Sequence, residues 1–202
     1  MYSKLPNFVL GFHGCDQSVF EKVLNGNDRL KFSKKNDYDW LGHGIYFWEN
    51  NPKRAYEYAD EQKKRSSTIK NIAVIGAIID LGYCLNLMES NSLQAVKQGY
   101  YLMLELYKTT NAEMPENKNI GNNTDLLKRY LDCAVIESVN NFKKINNKRE
   151  FDTVRGLFLE GNKLYPNAGF REKNHIQICV RNPNCIKGYF KPLEKEDEYL
   201  MP

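Results

Sequence analysis

The longest apolar stretch of the chain, residues 72–81, reads IAVIGAIIDL and constrains the fold more than any other feature. β-branched residues dominate it and a Gly follows it, which is typical of a strand buried on both faces. The other strand candidates are shorter apolar runs bounded by turn residues: 8–12, 154–161, 175–180 and 185–190. The first of these runs is expected to end in a tight turn at Gly14.

In the middle of the chain, from about residue 92 to 147, apolar residues recur every three to four positions, which predicts helices. Within it, residues 109–124 are rich in Asn and contain Pro115, which predicts an exposed loop. Two shorter helices are predicted elsewhere, one capped by Asp16 or Ser18 and one beginning at Asn51-Pro52. Strands divided by a helical middle predict a single α+β domain over residues 1–202 with a helical elaboration at 92–147.

Composition narrows the function classes. The 202 residues carry a formal charge of +4 with no basic run, so a nucleic-acid-binding arm is not expected. Five cysteines form no C-x-x-C pair and no Cys/His cluster, which predicts reduced thiols and no metal site. The first residues do not predict a signal peptide, and no apolar run approaches the roughly 20 residues of a membrane span. We therefore expect a cytoplasmic protein without a membrane partner.

Two short motifs carry candidate chemistry. FHG places His13 beside Gly14, and a glycine permits close approach of a ligand to the backbone. In GHGIYF, Gly44 offers the same freedom, and strand alternation puts Tyr46 on the face opposite its neighbours. Neither G-x-G-x-x-G nor a Walker sequence occurs, so a Rossmann or P-loop nucleotide site is not expected.

Taken in order, FHG, GHGIYFWENNPKRAYEYA and IGAIIDLGYCLNL resemble the catalytic domain of poly(ADP-ribose) polymerases. The resemblance covers residues 8–84 and, more loosely, 153–190. It implies an ADP-ribosyltransferase fold, in which split antiparallel β-sheets surround an NAD cleft, with the helical region as an insertion. It also implies NAD as a substrate and no metal.

The resemblance implies roles for the motif residues. His13 would bind the 2′-hydroxyl of the adenine-side ribose, and the backbone of Gly14 would hold the nicotinamide amide. Tyr46 would stack on the nicotinamide ring, and Tyr56 or Tyr58 would cover its other face. Packing explains these two tyrosines equally well.

This chain departs from the family's His-Tyr-Glu triad at the third position, where the family has a glutamate. A carboxylate there orients the ribose hydroxyl, stabilises positive charge in the transition state and accepts a proton. In this chain the candidates are Gln177, preferred by register, His175 on the same face of the strand, and Glu172 upstream. An amide supplies a hydrogen bond but neither charge nor a base, so polymer synthesis is not expected. In the loop 161–173, Tyr165, Phe170 and Arg171 are candidates for acceptor contacts.

These residues predict a mono-ADP-ribosyltransferase that moves one ADP-ribose from NAD to a protein or nucleic acid and releases nicotinamide. By analogy it resembles bacterial toxins, for which an antitoxin or immunity protein is a partner. Two alternatives stay open, an NAD-binding module with a degraded site and an NAD glycohydrolase. A nucleic-acid-binding protein without catalysis is a weaker third, because the basic residues are not clustered with aromatic ones.

Overall fold

The computed structural model describes residues 8–34, 39–66, 68–119, 126–194 and 198. Its strands are β1 (Phe8–Asp16), β2 (Ile45–Glu49), β3 (Ile72–Asp80), β4 (Cys84–Asn86), β5 (Asn117–Lys118), β6 (Lys128–Arg129), β7 (Thr153–Phe158), β8 (His175–Val180) and β9 (Ile186–Phe190). Its α-helices are α1 (Gln17–Leu24), α2 (Pro52–Arg65), α3 (Ser90–Thr110) and α4 (Tyr130–Ile145), and a 3₁₀ turn covers Pro183–Cys185. None of the helices in these ranges has the length and apolarity needed to cross a membrane.

Seven strands form one sheet in the order β4-β7-β8-β2-β1-β3-β9, and β5 pairs with β6 separately. Neighbours in the large sheet are antiparallel, except that β4 and β7 are parallel. The α+β class is therefore confirmed. The prediction of split, wholly antiparallel sheets is corrected, because β2 and β1 join both halves into a single mixed sheet.

That junction is narrow. Strand β1 pairs with β2 only at Gly11↔Glu49 and Phe12↔Trp48. On its other edge β1 pairs with β3 at every position from Phe8 to Asp16. This continuous ladder also corrects the predicted turn at Gly14, because β3 holds β1 extended to Asp16. After Phe12, β1 no longer pairs with β2, and the two strands separate.

Local capping sets the helix starts. The Asp16 side chain accepts a hydrogen bond from the Ser18 N–H at 3.0 Å where α1 begins. At α2, the Asn51 side chain accepts from the Arg54 N–H at 2.9 Å, and Pro52 is the first helical residue, as predicted. The middle of the chain is helical, as predicted, and forms α3 and α4. Within the predicted 109–124 loop, Asn117–Lys118 forms a short strand, and residues 120–124 lie outside the described part.

The sheet has an apolar core on each face. On the first face, Phe47, Ile75 and Ile178 pack with Val23 of α1. On the second face, two clusters lie side by side. Phe12 and Trp48 pack against Ala55 of α2, whereas Val154 and Cys179 pack against Ile136 and Val139 of α4. Helix α2 and the helical elaboration thus cover neighbouring parts of the second face.

Candidate functional site

His13 lies where β1 and β2 separate. Its Nδ1 is 2.8 Å from the Tyr46 carbonyl oxygen, and its ring meets Phe47 edge-on with the centroids 5.9 Å apart. A carbonyl only accepts hydrogen bonds, so Nδ1 carries the proton and a neutral ring keeps Nε2 as an acceptor. Burial lowers the pKa of His13 below its usual value, although the bond to Tyr46 opposes this. The two signature strands are therefore joined by a neutral imidazole.

Tyr46 belongs to the second face, on the side of the helical elaboration. Its hydroxyl donates to the Gly42 carbonyl at 2.6 Å and accepts from the Leu41 N–H at 2.9 Å. Burial raises the pKa of Tyr46 well above the usual range, so the phenol stays protonated. Its ring packs against the apolar cluster that includes Leu41 and Cys179. Tyr46 therefore supports the loop before β2, and nicotinamide stacking on it stays a prediction.

Both predicted ligand-binding glycines are close-packed against protein. A Cβ on Gly14 would lie 2.1 Å from the Ala55 carbonyl oxygen of α2. A Cβ on Gly44 would lie 2.5 Å from the Cys179 Sγ of β8. Close packing of main chain thus accounts for each glycine, and the ligand roles of their backbones stay predictions.

The second face of β8 carries His175 and Gln177. Gln177 lies opposite Trp48 of β2 and Gly156 of β7, near the middle of the sheet. The Trp40 Nε1–H donates to the Gln177 Oε1 at 2.6 Å. Because an indole nitrogen only donates, the amide oxygen is the atom at this contact. The group that Gln177 can offer a ligand is therefore its NH₂.

His175 is buried at the start of β8. Its Nδ1 lies 2.6 Å from the Lys173 carbonyl oxygen, and its ring stacks on Phe158 at 5.6 Å and 27°. Burial lowers the pKa of His175, as does the nearby Arg54, against the opposing bond to Lys173. The ring is therefore neutral near pH 7, with Nε2 as a hydrogen-bond acceptor. This Nε2 is buried and has no partner among the described residues.

A small cavity of about 50 Å³, here called the β8 cavity, joins these groups. Its polar and aromatic walls include Trp40, Trp48, Arg54, Glu160, His175 and Gln177. Two further buried nitrogens in its walls, Trp48 Nε1 and Arg54 Nε, also have no partner within the described ranges. Buried polar atoms are nearly always hydrogen-bonded in native proteins, so three such nitrogens in residues around one cavity are unusual.

One face of α2 forms the opposite wall. Its contributions to the β8 cavity are Arg54, Tyr58, Glu61 and Arg65. The spacing i, i+4, i+7, i+11 is that of a single helix face, and it was visible in the sequence. Among these residues only Tyr58 was predicted, and it packs on Trp48 with the ring centroids 4.8 Å apart.

Arg54 and Glu160 were not predicted as site residues. The Arg54 Nη2 donates to the Glu160 Oε2 at 2.9 Å, and the Arg54 Nη1 lies 3.4 Å from the Glu61 Oε1. These two carboxylates offset the positive charge of the buried Arg54 guanidinium. The Arg54 Nε–H is the group left without a hydrogen-bond partner among the described residues. Glu160 thus brings a carboxylate into the cavity wall, although the sequence suggested no role for it.

Other predicted residues lie away from this cavity. Glu172 is exposed and accepts from the main-chain and side-chain nitrogens of Asn162 at 3.3 and 3.2 Å, so it supports its own loop. Tyr56 is 51 % exposed on α2. Neither residue lines the β8 cavity.

The predicted acceptor loop contains exposed aromatic residues. Tyr165 and Phe170 are both exposed, and the Arg171 side chain donates to the Gly161 carbonyl at 3.0 Å. A bridge between Lys163 and Arg171 closes the loop. An acceptor contact at these positions stays a prediction.

A larger cavity of about 480 Å³ lies between α3, α4 and the loop before β2, with His43 and Glu137 in its wall. The Glu137 carboxylate accepts from the His43 main-chain N–H at 2.8 Å and pairs with Arg181. These bonds hold the loop that Tyr46 also supports. Among the described residues, no group of three or more His, Cys, Asp or Glu side chains is arranged to bind a metal.

Comparison with known proteins gives one distant relative to report. The chain is 29 % identical over 208 residues to an uncharacterised protein of Methanocaldococcus jannaschii, covering 94 % of this chain and 91 % of that protein. No family model matches the chain. No solved structure matches it either.

Proposed function

We propose that this chain is a mono-ADP-ribosyltransferase, with a variant of the ADP-ribosyltransferase fold. It would transfer one ADP-ribose from NAD to a macromolecular acceptor and release nicotinamide. The observation that carries the proposal is the link between His13 and the Tyr46 carbonyl at the point where β1 and β2 diverge. The two motifs of the sequence resemblance lie far apart in the chain, yet they meet at this junction.

The third strand of the proposed site also supports this function. Gln177 lies beside Trp48 on β8, next to the strand that carries Tyr46. By the resemblance Gln177 would take the place of the carboxylate; its side chain is on the second face of the sheet, whereas the His13 ring lies against Phe47 of the first face. Trp40 holds the amide oxygen, so the Gln177 NH₂ is oriented to donate to a ribose hydroxyl oxygen.

The reaction requires little covalent chemistry from the protein. The bond between the ribose C1′ and the nicotinamide nitrogen breaks, and its electron pair leaves with nicotinamide, which becomes neutral. A nucleophile then bonds to C1′ and loses its proton. Binding in a fixed orientation supplies much of the acceleration in such a reaction. An uncharged Gln177 gives less stabilisation of the cationic transition state than a carboxylate, which favours single transfer over chain elongation.

The test is incubation of the purified protein with NAD labelled in its adenylate half, with a cell lysate as the source of acceptors. We expect nicotinamide release and transfer of the label to a macromolecule, both lost in His13→Ala and Tyr46→Ala. Tyr101→Ala is the matched control, because this exposed tyrosine lies on α3 and has no role in the resemblance. Its transfer should equal that of the wild type. Intact NAD under all conditions would refute a transferase.

An NAD-binding module without catalysis is the second candidate, and the uncharged Gln177 favours it. This function predicts NAD binding, measured by calorimetry, without nicotinamide release. NAD hydrolysis predicts nicotinamide and free ADP-ribose without labelled macromolecules. Assignment to a bacterial toxin and the existence of an antitoxin or immunity protein stay predictions.

A further inference from the structure

The orientation of the Gln177 amide depends on Trp40, which lies in the loop before β2 rather than in a helix or strand. The Trp40 Nε1–H donates to the Gln177 Oε1 at 2.6 Å. No main-chain ladder fixes a loop residue, so the direction of this indole depends on what packs against its ring. The sheet supplies one such contact at Gly156, opposite Gln177 in register. A Cβ on Gly156 would lie 2.7 Å from the Trp40 Cη2, so the missing side chain leaves room for the indole.

Phe158 and Arg129 supply two further contacts. The Phe158 and Trp40 ring centroids are 5.1 Å apart, with the ring planes at 58°. The Arg129 Cζ lies 4.5 Å from the Phe158 centroid and 5.5 Å from the Trp40 centroid. A guanidinium over an aromatic face is attracted by the negative charge of the π system. Arg129 therefore links the helical elaboration to the ring that holds Gln177.

Arg129 is poorly suited to its local position in the chain. It is the N-cap residue of α4, and its side chain makes no capping hydrogen bond. Ser, Thr, Asp and Asn are preferred at N-caps, and a cation at a helix N-terminus opposes the helix dipole. Asp132 offsets part of this charge, with its Oδ2 3.4 Å from the Arg129 Nη1. The stability of α4 thus does not explain an arginine here, and departures from local rules are expected at functional positions.

We propose that Arg129 is a positioning residue for the transfer reaction: it fixes the Trp40 indole, and Trp40 fixes the Gln177 amide. This inference rests on the proposed function, in which the Gln177 NH₂ donates to a ribose hydroxyl. Arg129 itself contacts neither NAD nor the acceptor. Without its guanidinium the indole is free to turn, the Gln177 amide is no longer fixed, and the ribose is held in a less productive orientation.

The first test compares Arg129→Met with the matched control Arg149→Met. Arg149 also lies over an aromatic ring, with its Cζ 5.5 Å from the Tyr83 centroid, and pairs with Asp152 three residues further on. It lines neither of the two cavities described above. We expect Arg129→Met to lower kcat about tenfold and to change the KM for NAD by less than about twofold. Arg129→Lys should recover most of the loss, because an ammonium also binds an aromatic face, and Arg149→Met should match the wild type.

The dependence on Trp40 is tested by combining Arg129→Met with Trp40→Phe, which removes the indole donor and keeps a ring. Trp40→Phe alone should slow transfer by about tenfold. The double variant should be about as slow as Trp40→Phe, because Arg129 then has no indole to position. A double variant slowed by the product of the two single effects, about 100-fold, would overturn the inference.

A second measurement does not depend on activity. The chain has two tryptophans, so a ¹⁵N–¹H spectrum contains two indole signals, and Trp40→Phe identifies the one from Trp40. We expect the Trp40 Nε1 proton to exchange with solvent about tenfold faster in Arg129→Met and at the wild-type rate in Arg149→Met. An unchanged exchange rate in Arg129→Met would show that Arg129 does not hold the indole, and the inference would be wrong.

Arg129→Ser separates positioning from stability. Serine is a preferred N-cap, so we expect a melting temperature at least as high as that of the wild type, with transfer slower by about tenfold. A wild-type rate in Arg129→Ser and Arg129→Met would refute this inference alone. A wild type that leaves NAD intact would refute the proposed function, and this inference with it.

Discussion

Replacing Gly14 by Ala tests the close packing of β1 against α2. The added Cβ would lie 2.1 Å from the Ala55 carbonyl oxygen and 2.9 Å from the Ala59 Cβ. The first atom is main chain inside α2, so no side-chain rotation relieves the contact. Strand and helix must separate by about 1 Å to reach an ordinary contact distance. That movement would also loosen the contacts of Ala55 with Phe12 and Trp48.

Overpacking of this kind costs about 1–3 kcal/mol, and a clash between main chains belongs at the upper end. We expect Gly14→Ala to lower the free energy of unfolding by about 3 kcal/mol. With an m-value of about 2 kcal/mol/M, the urea midpoint falls by about 1.5 M. Urea titration followed by circular dichroism measures both quantities. An unchanged m-value would show that the loss is in native stability.

Gly188→Ala is the matched control. Gly188 also lies in a strand, β9, but an added Cβ there meets nothing within 4 Å. We expect its stability to stay the same or rise by up to about 1 kcal/mol, because alanine restricts the unfolded chain. If Gly14→Ala were as stable as the wild type to within about 0.5 kcal/mol, the close contact between β1 and α2 would be refuted.

Two further perturbations follow from buried groups. The folded-state pKa values of His13 and His175 are both lowered. Below about pH 6.5 the unfolded chain therefore binds more protons than the folded chain, and the free energy of unfolding decreases as the pH falls. The decrease is at most about 1.4 kcal/mol per pH unit for each histidine. Urea titrations at pH 7.5, 6.5 and 5.5 should show this loss of stability. The loss should be smaller in the double variant His13→Gln/His175→Gln. An identical loss in that variant would show that these two histidines do not cause the pH dependence. The Arg155 guanidinium donates to both Glu49 carboxylate oxygens at 2.5 and 2.6 Å, so Glu49→Gln should cost about 2 kcal/mol. A double-mutant cycle with Arg155→Met measures the coupling, and a value below about 0.5 kcal/mol would show that the pair contributes little.

Much of the secondary structure was predictable because its signals are local. The β-branched run at 72–81 became β3 (Ile72–Asp80), and Asn51-Pro52 began α2 as helix-capping chemistry requires. The spacing of apolar residues in the middle of the chain likewise predicted α3 and α4. Strand β4 was missed because three residues, Cys84–Asn86, are too few to show a periodicity. Its parallel pairing with β7 could not be predicted either, because it depends on how α3 and α4, which lie between the two strands in the chain, pack on the sheet.

The candidate site was predicted in part. The alternation of β8 put His175 and Gln177 on one face, as the structure has them. Contacts between distant residues could not be inferred, such as the bond from Trp40 to Gln177 or the pairing of Arg54 with Glu160. Their geometry depends on how α2 and the loop before β2 pack on the sheet. Gly14 illustrates the same limit, because a glycine required by a neighbouring helix and one required by a ligand look alike in a sequence.

The central position of β8 has a consequence for how the protein is made. Strand β8 is synthesised late in the chain, yet it fills the place between β7 and β2. Until it does, β2 and β7 each have an edge whose main-chain groups can pair with another chain. β7 and β8 are consecutive in the chain, but β2 and β8 are far apart in sequence, and pairing between such distant strands closes slowly. The cavity lined by His175 therefore cannot form on the growing polypeptide until β8 has left the ribosome, and a partly made chain exposes these two edges.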